Sequence, residues 1–192
     1  VVDKGDPQKI INGFNDVFRI LAEESGITYT GDFNTGSKSI LGTVQFIGPL
    51  NHKNKIEHDI SLIEQLVENP ILKDVKTDYP NIPQFSAKVY SLNEILTEKI
   101  RSTFQRTKAR DYYDVWMLLK SNKFDAKLIG GLLVKKCEIN KIDYRPDLIF
   151  EKGRLSEIEL YWEKSLGYLV DDLPSVKAVI PELQKQLGFL SK

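Results

Sequence analysis

VYSLNEILTEKIRSTFQRTKARDYYDVWMLL, residues Val89 to Leu119, is where the chain changes from strand-like to helical patterning. Leu92, Ile95, Leu96, Ile100 and Phe104 recur at three- and four-residue spacing, which places them on one stripe of a helix. Ser91 is positioned to cap that helix, and Glu94 stands at the capping-box position three residues on. A second helix is expected over 109–120, with Val115, Leu118 and Leu119 on its docked side and Tyr112, Trp116 and Met117 alongside. Its first half carries Arg110, Asp111 and Asp114. Acids near a helix start are favoured by the macrodipole, and Asp111 can close a forked ion pair with the guanidinium of Arg106 or Arg110. A network that holds two helices together and one that serves a reaction both fit this pattern.

Downstream, the periodicity predicts further helices over about 125–137, 155–169 and 175–188, with Pro174 separating the last two. Upstream, a helix is expected after Asp6, its N-cap, with Pro7 at the first helical position and Gly26 ending it. ITYTGDF, ILGTVQFIG and KIEHDISL follow, and the second and third read as strands joined by the turn-rich PLNHKN. In the third, Ile56, His58 and Ile60 point one way and Lys55, Glu57, Asp59 and Ser61 the other. A short helix is expected over 62–68. Pro80 and Pro83 break the chain, and FSAKVYS reads as one more short strand. The fold class expected is α+β: a small mixed sheet flanked by helices over 1–91, then a helical part over 92–192.

Lys plus Arg and Asp plus Glu are equal at 27 each, so no global charge points to a polyanionic partner. A lone cysteine, Cys137, rules out an intramolecular disulfide and fits a reducing, cytoplasmic setting. No apolar run is long enough to span a membrane. With two histidines and one cysteine, a zinc centre is not expected, and His58 reads as a core or edge histidine. There is no glycine-rich phosphate loop, no serine elbow and no Cys–His pair.

Two places could carry chemistry. Glu57 and Asp59 share one side of a strand with Lys55, where carboxylates could hold Mg²⁺ and the lysine could meet a phosphate. The same alternation also describes an ordinary half-exposed strand. Lys99 lies at the border of the apolar stripe of its helix, where a lysine can snorkel to solvent or reach a phosphate. Residues 88–123 hold eight Lys or Arg against four acids, a local surplus that suits a nucleoside triphosphate or a nucleic-acid backbone.

The order Glu94, Glu98–Lys99, Arg106, Arg110–Asp111, Asp114, preceded by the strand KIEHDISL, resembles the AbiEii/AbiGii toxin family, nucleotidyltransferase-like proteins of prokaryotic toxin–antitoxin and abortive-infection systems. The resemblance covers about residues 40–120 and implies a nucleotidyltransferase fold with a helical C-terminal part. It implies Mg²⁺-dependent transfer of a nucleoside monophosphate from an NTP to an RNA (a tRNA, for instance), a protein or a small molecule, and a cognate antitoxin as a possible partner. On that basis Asp59, Lys99 and Asp111 are the expected catalytic residues. Asp59 and Glu57 would hold metal, and Lys55, Lys99, Arg106 and Arg110 would bind the nucleotide. Asp59 and Lys99 would open onto one cleft.

This sequence departs from the family pattern in one respect. The Gly–Ser start and Asp-x-Asp pair do not occur in it: Gly36–Ser37 is followed by no such pair. In the family's order that element would fall just before Val1. The expectation is that these 192 residues alone hold two metal ions poorly. A non-catalytic interaction or RNA-binding module of the same fold is the alternative reading.

Overall fold

The Asp6 carboxylate accepts the Gln8 amide hydrogen at 3.0 Å, and Pro7 brings a preset φ to the first turn of α1, Pro7–Ser25. Gly26 ends α1 at φ 69°, a left-handed conformation that costs glycine little. The computed structural model describes residues 6–78 and 83–191, so Pro80 lies outside the described residues. The chain forms two compact units, 1–65 and 66–192, dividing earlier than the change of sequence character near Leu92.

The first unit is α1 with a three-stranded antiparallel sheet in the order β1 (Tyr29–Thr35), β2 (Ser39–Ile47), β3 (Lys53–Ser61). One sheet face meets α1 through aromatic rings. Phe14 lies 5.6 Å from Phe33 and 5.3 Å from the His58 imidazole, and Phe18 stacks on Phe33 at 6.3 Å. Phe33 pairs with Gly42 across the strands, and an added Cβ on Gly42 would come within 2.5 Å of the Phe33 ring. Glycine is what lets that ring lie flat on the sheet under α1. The register Asp32↔Thr43↔Glu57 and Asn34↔Leu41↔Asp59 puts the polar side chains on the opposite face.

The second unit begins with an antiparallel hairpin, β4 (Ile71–Val75) with β5 (Phe85–Val89). Five helices follow: α2 (Leu92–Gln105), α3 (Ala109–Ser121), α4 (Ala126–Asn140), α5 (Lys152–Leu166) and α6 (Val176–Gln186). Their apolar stripes share one core. Leu96, Ile100 and Phe104 of α2 meet Tyr112, Val115 and Trp116 of α3, Ile129 and Leu133 of α4, Trp162 of α5 and Leu183 of α6. The polar ends of the large aromatics are satisfied: Trp162 Nε1 donates to the Pro174 carbonyl at 2.9 Å and Trp116 Nε1 to the Glu182 carboxylate at 2.7 Å. Arg154 of α5 donates to the Thr103 and Phe104 carbonyls, filling acceptors left open at the end of α2.

The structure departs from the sequence reading at three places. No helix forms over 62–68, because the Val67 and Glu68 amides donate to the Glu94 carboxylate at 3.0 and 2.9 Å instead of to helical carbonyls. The strand β4 was not anticipated: ILKDV is short, mostly exposed and charged at its centre, so its alternation is faint. The α5 helix runs three residues earlier than its apolar spacing suggested, from Lys152 after Glu151 rather than from 155.

The phenol of Tyr112 gives a measurable consequence of this packing. It is buried, and its hydroxyl donates to the Ile149 carbonyl at 2.6 Å. Burial pushes its pKa up to about 12, against a smaller opposing pull from Arg154. An unfolded tyrosine ionises near 10, so the neutral form is favoured in the fold. That stabilisation is complete below pH 10 and is lost as pH rises through about 12. Two pKa units correspond to roughly 3 kcal/mol. Urea unfolding at pH 8 and pH 11.5 should show this loss in the wild type and a smaller one in Tyr112→Phe. Tyr144, whose pKa burial also raises, leaves the residual slope.

Candidate functional site

In the helical unit the charged residues of α2 and α3 meet along one front. After Gln105 the backbone becomes extended at Arg106 (φ −145°, ψ 151°) and stays extended at Lys108, so α2 and α3 are separate helices. That break lets the Arg106 side chain fold back onto α3. Its Nε donates to Asp111 Oδ2 at 2.8 Å and its Nη2 to Asp111 Oδ1 at 3.1 Å. The bidentate pair forms with Arg106, and Arg110 is exposed. The hydrogen bond to Asp111 raises the Arg106 pKa above its ordinary value. Asp111 itself is fully buried. With both oxygens engaged and no solvent access, it is placed to organise its neighbours.

Lys99 reaches across from α2. Its Nζ is 2.5 Å from Asp114 Oδ2 and 3.9 Å from Asp111 Oδ1. Beside this pair a groove of about 410 Å³ is lined by Ile95, Lys99, Asp114, Met117, Leu118, Ser121 and Asn122. Its walls are mostly apolar, with the Lys99–Asp114 pair as its charged part.

A second network lies behind the same helix and was not seen in the sequence. Lys136 of α4 is fully buried, with Nζ 2.8 Å from Glu94 Oε1 and 3.4 Å from Glu98 Oε2. Two glutamates one turn apart repel in water, and here a buried ammonium lies between them. Ser91 does cap α2 by accepting from the Glu94 amide at 2.9 Å. The Glu94 carboxylate does not complete a capping box among the described residues: it binds Lys136 and the 67–68 amides, and the Ser91 hydroxyl donates to Glu68. Glu98 also forks with Arg101. The Glu94 part of the motif is therefore a staple between α2, α4 and the chain entering the unit.

In the sheet unit, the face opposite α1 carries Asp32, Glu57 and Asp59 around a shallow recess of about 330 Å³, together with Asn34, Leu41 and Thr43. Lys55 Nζ lies 2.6 Å from Glu57 Oε1, and that contact lowers the Glu57 pKa and raises that of Lys55. The two groups expected to meet metal and phosphate thus satisfy each other. Asp59 is exposed and enters no ion pair with a described residue. Asp32 belongs to ITYTGDF and lies on β1. Read with period two, it falls on the face of Asp59.

Among the described residues no three acids, histidines or cysteines gather closely enough to cage a metal. Mg²⁺ does not require such a cage. It keeps several waters and is held by one or two carboxylates plus substrate phosphates. Glu57 and Asp59, hard oxygen donors on one open face, fit a metal that arrives with a polyphosphate.

The chain thus has a mixed α/β unit and a helical unit whose α2 and α3 carry Lys99 and an Arg-Asp-x-x-Asp front. The family described as "Nucleotidyl transferase AbiEii toxin, Type IV TA system" matches residues 1–187, and the chain belongs to it. No curated protein and no solved structure matches the chain. Among the described residues no helix is long and apolar enough to cross a membrane.

Proposed function

We propose that this protein transfers a nucleoside monophosphate from an NTP to a hydroxyl-bearing acceptor in a Mg²⁺-dependent reaction, as the toxin of a toxin–antitoxin pair. Family membership over residues 1–187 carries this reading. The exposed Asp59 carboxylate and the groove-side Lys99 ammonium support it. Asp59 and Glu57 would supply the protein's oxygens to Mg²⁺, which, when bound, neutralises phosphate charge and acidifies an acceptor hydroxyl. Lys55 sits on one Glu57 oxygen, beside that face, where it can also meet a phosphate oxygen.

Within the helical unit, Lys99 would supply a positive charge to phosphate oxygens at its own groove. Asp111, locked by the Arg106 fork, would hold the start of α3 rigid beside Lys99. In the transfer, the acceptor oxygen bonds to the α-phosphorus as the bond to the bridging α–β oxygen breaks. Pyrophosphate leaves and the hydroxyl proton passes to solvent. The exposed Lys108 and Arg110 beside Arg106 favour a polyanionic acceptor such as RNA over a small molecule.

The test is transfer of label. The full-length protein, incubated with each α-³²P NTP, Mg²⁺, and total RNA or total protein, should place label in one acceptor fraction. Chelation of the metal should stop it. Salt-sensitive RNA binding with no label transferred from any NTP would instead favour the RNA-binding module.

A further inference from the structure

The Lys99 ammonium has three hydrogens to donate, and its surroundings decide which neighbour can release it. Asp111 cannot move to follow it, because both its oxygens are held in the Arg106 fork and it has no exposed surface. Asp114 differs. The side chains of Lys99 and Asp114 are 32% and 38% exposed, and their 2.5 Å contact stands on the wall of the groove beside Met117 and Leu118. From α3, the Asp114 carboxylate can rotate into water without any shift of backbone.

We propose that Asp114 is a displaceable counter-ion. It aims the Lys99 ammonium at the groove in the empty protein and gives it up when a polyphosphate chain binds. This rests on the reading of Lys99 as the phosphate-binding lysine. The anion takes over the donor that Asp114 used, and the carboxylate, of like charge, turns to solvent. Asp114 therefore sets how tightly Lys99 holds phosphate, acting as a positioning residue and opposing the very ligand it prepares for. Removing its charge while keeping its shape should strengthen polyphosphate binding, the reverse of what loss of a ligand-binding residue does.

Calorimetric titration of sodium tripolyphosphate, and in parallel of ATP, into the full-length protein tests this. Asp114→Asn should bind both roughly threefold to tenfold more tightly, the scale expected for freeing one end of a partly exposed ion pair. Asp114→Glu should restore wild-type affinity. In a Lys99→Ala background, Asp114→Asn should give no such gain, which separates release of Lys99 from a general change of charge. Unchanged or weaker binding by Asp114→Asn, with Lys99→Ala abolishing binding, overturns the counter-ion role and leaves the Lys99 assignment standing. Wild-type binding by Lys99→Ala, or no binding by any variant, overturns both.

Discussion

Replacing Lys136 by alanine should destabilise the helical unit more than any single change at its surface. The ammonium is fully buried between Glu94 and Glu98, so its loss leaves a buried Glu94 carboxylate without its cation and returns two acids one turn apart to mutual repulsion. Breaking a buried pair by removing one partner costs about 3–5 kcal/mol. For a protein of this size that lowers the unfolding midpoint by on the order of 10 °C. The cost comes mainly from the unpaired charge. Lys136→Met combined with Glu94→Gln should therefore recover much of the loss, since the glutamine oxygen can still accept from the Val67 and Glu68 amides. Thermal unfolding followed by circular dichroism reads both variants. If Lys136→Ala melts with the wild type, the staple is not what holds α2 to α4.

The helices were legible because their apolar residues repeat with a single period and their caps are local: Ser91 and Glu94, or Asp6, Pro7 and Gly26, act within a few residues of one another. The β2–β3 pairing was legible for the same reason, since alternation in KIEHDIS fixes which side chains share a face. What stayed hidden depends on partners far along the chain. Glu94 meets Val67 and Lys136, separated from it by 27 and 42 positions, and no local rule reports this. One signal was available. Ile129, Leu133 and Lys136 fall at helical spacing, so Lys136 was already on the buried side of its helix and needed an acid opposite it. The choice between Arg106 and Arg110 as partner of Asp111 turned on the extended backbone at 106–108. Spacing alone does not show that break.

Asp59→Ala should remove metal-dependent nucleotide binding altogether. The residue lies on β3, opposite Leu41 of β2, so the rigid ladder fixes where its carboxylate points. It is exposed and enters no ion pair with a described residue, so it can take up a cation without first losing a partner. Glu57 differs from it in sharing one oxygen with Lys55, which competes with a cation there. Nor should the variant unfold the sheet: an exposed strand residue away from the Phe14–Phe33 packing contributes little to stability. Loss of binding would therefore report loss of a ligand and not of the fold. The direct measurement is calorimetric titration of Mg²⁺–NTP into the full-length wild type and Asp59→Ala, with circular dichroism as the check on folding. Binding that requires Mg²⁺ is expected in the wild type and none in a folded Asp59→Ala; wild-type affinity in that variant would rule out Asp59 as the metal-binding carboxylate.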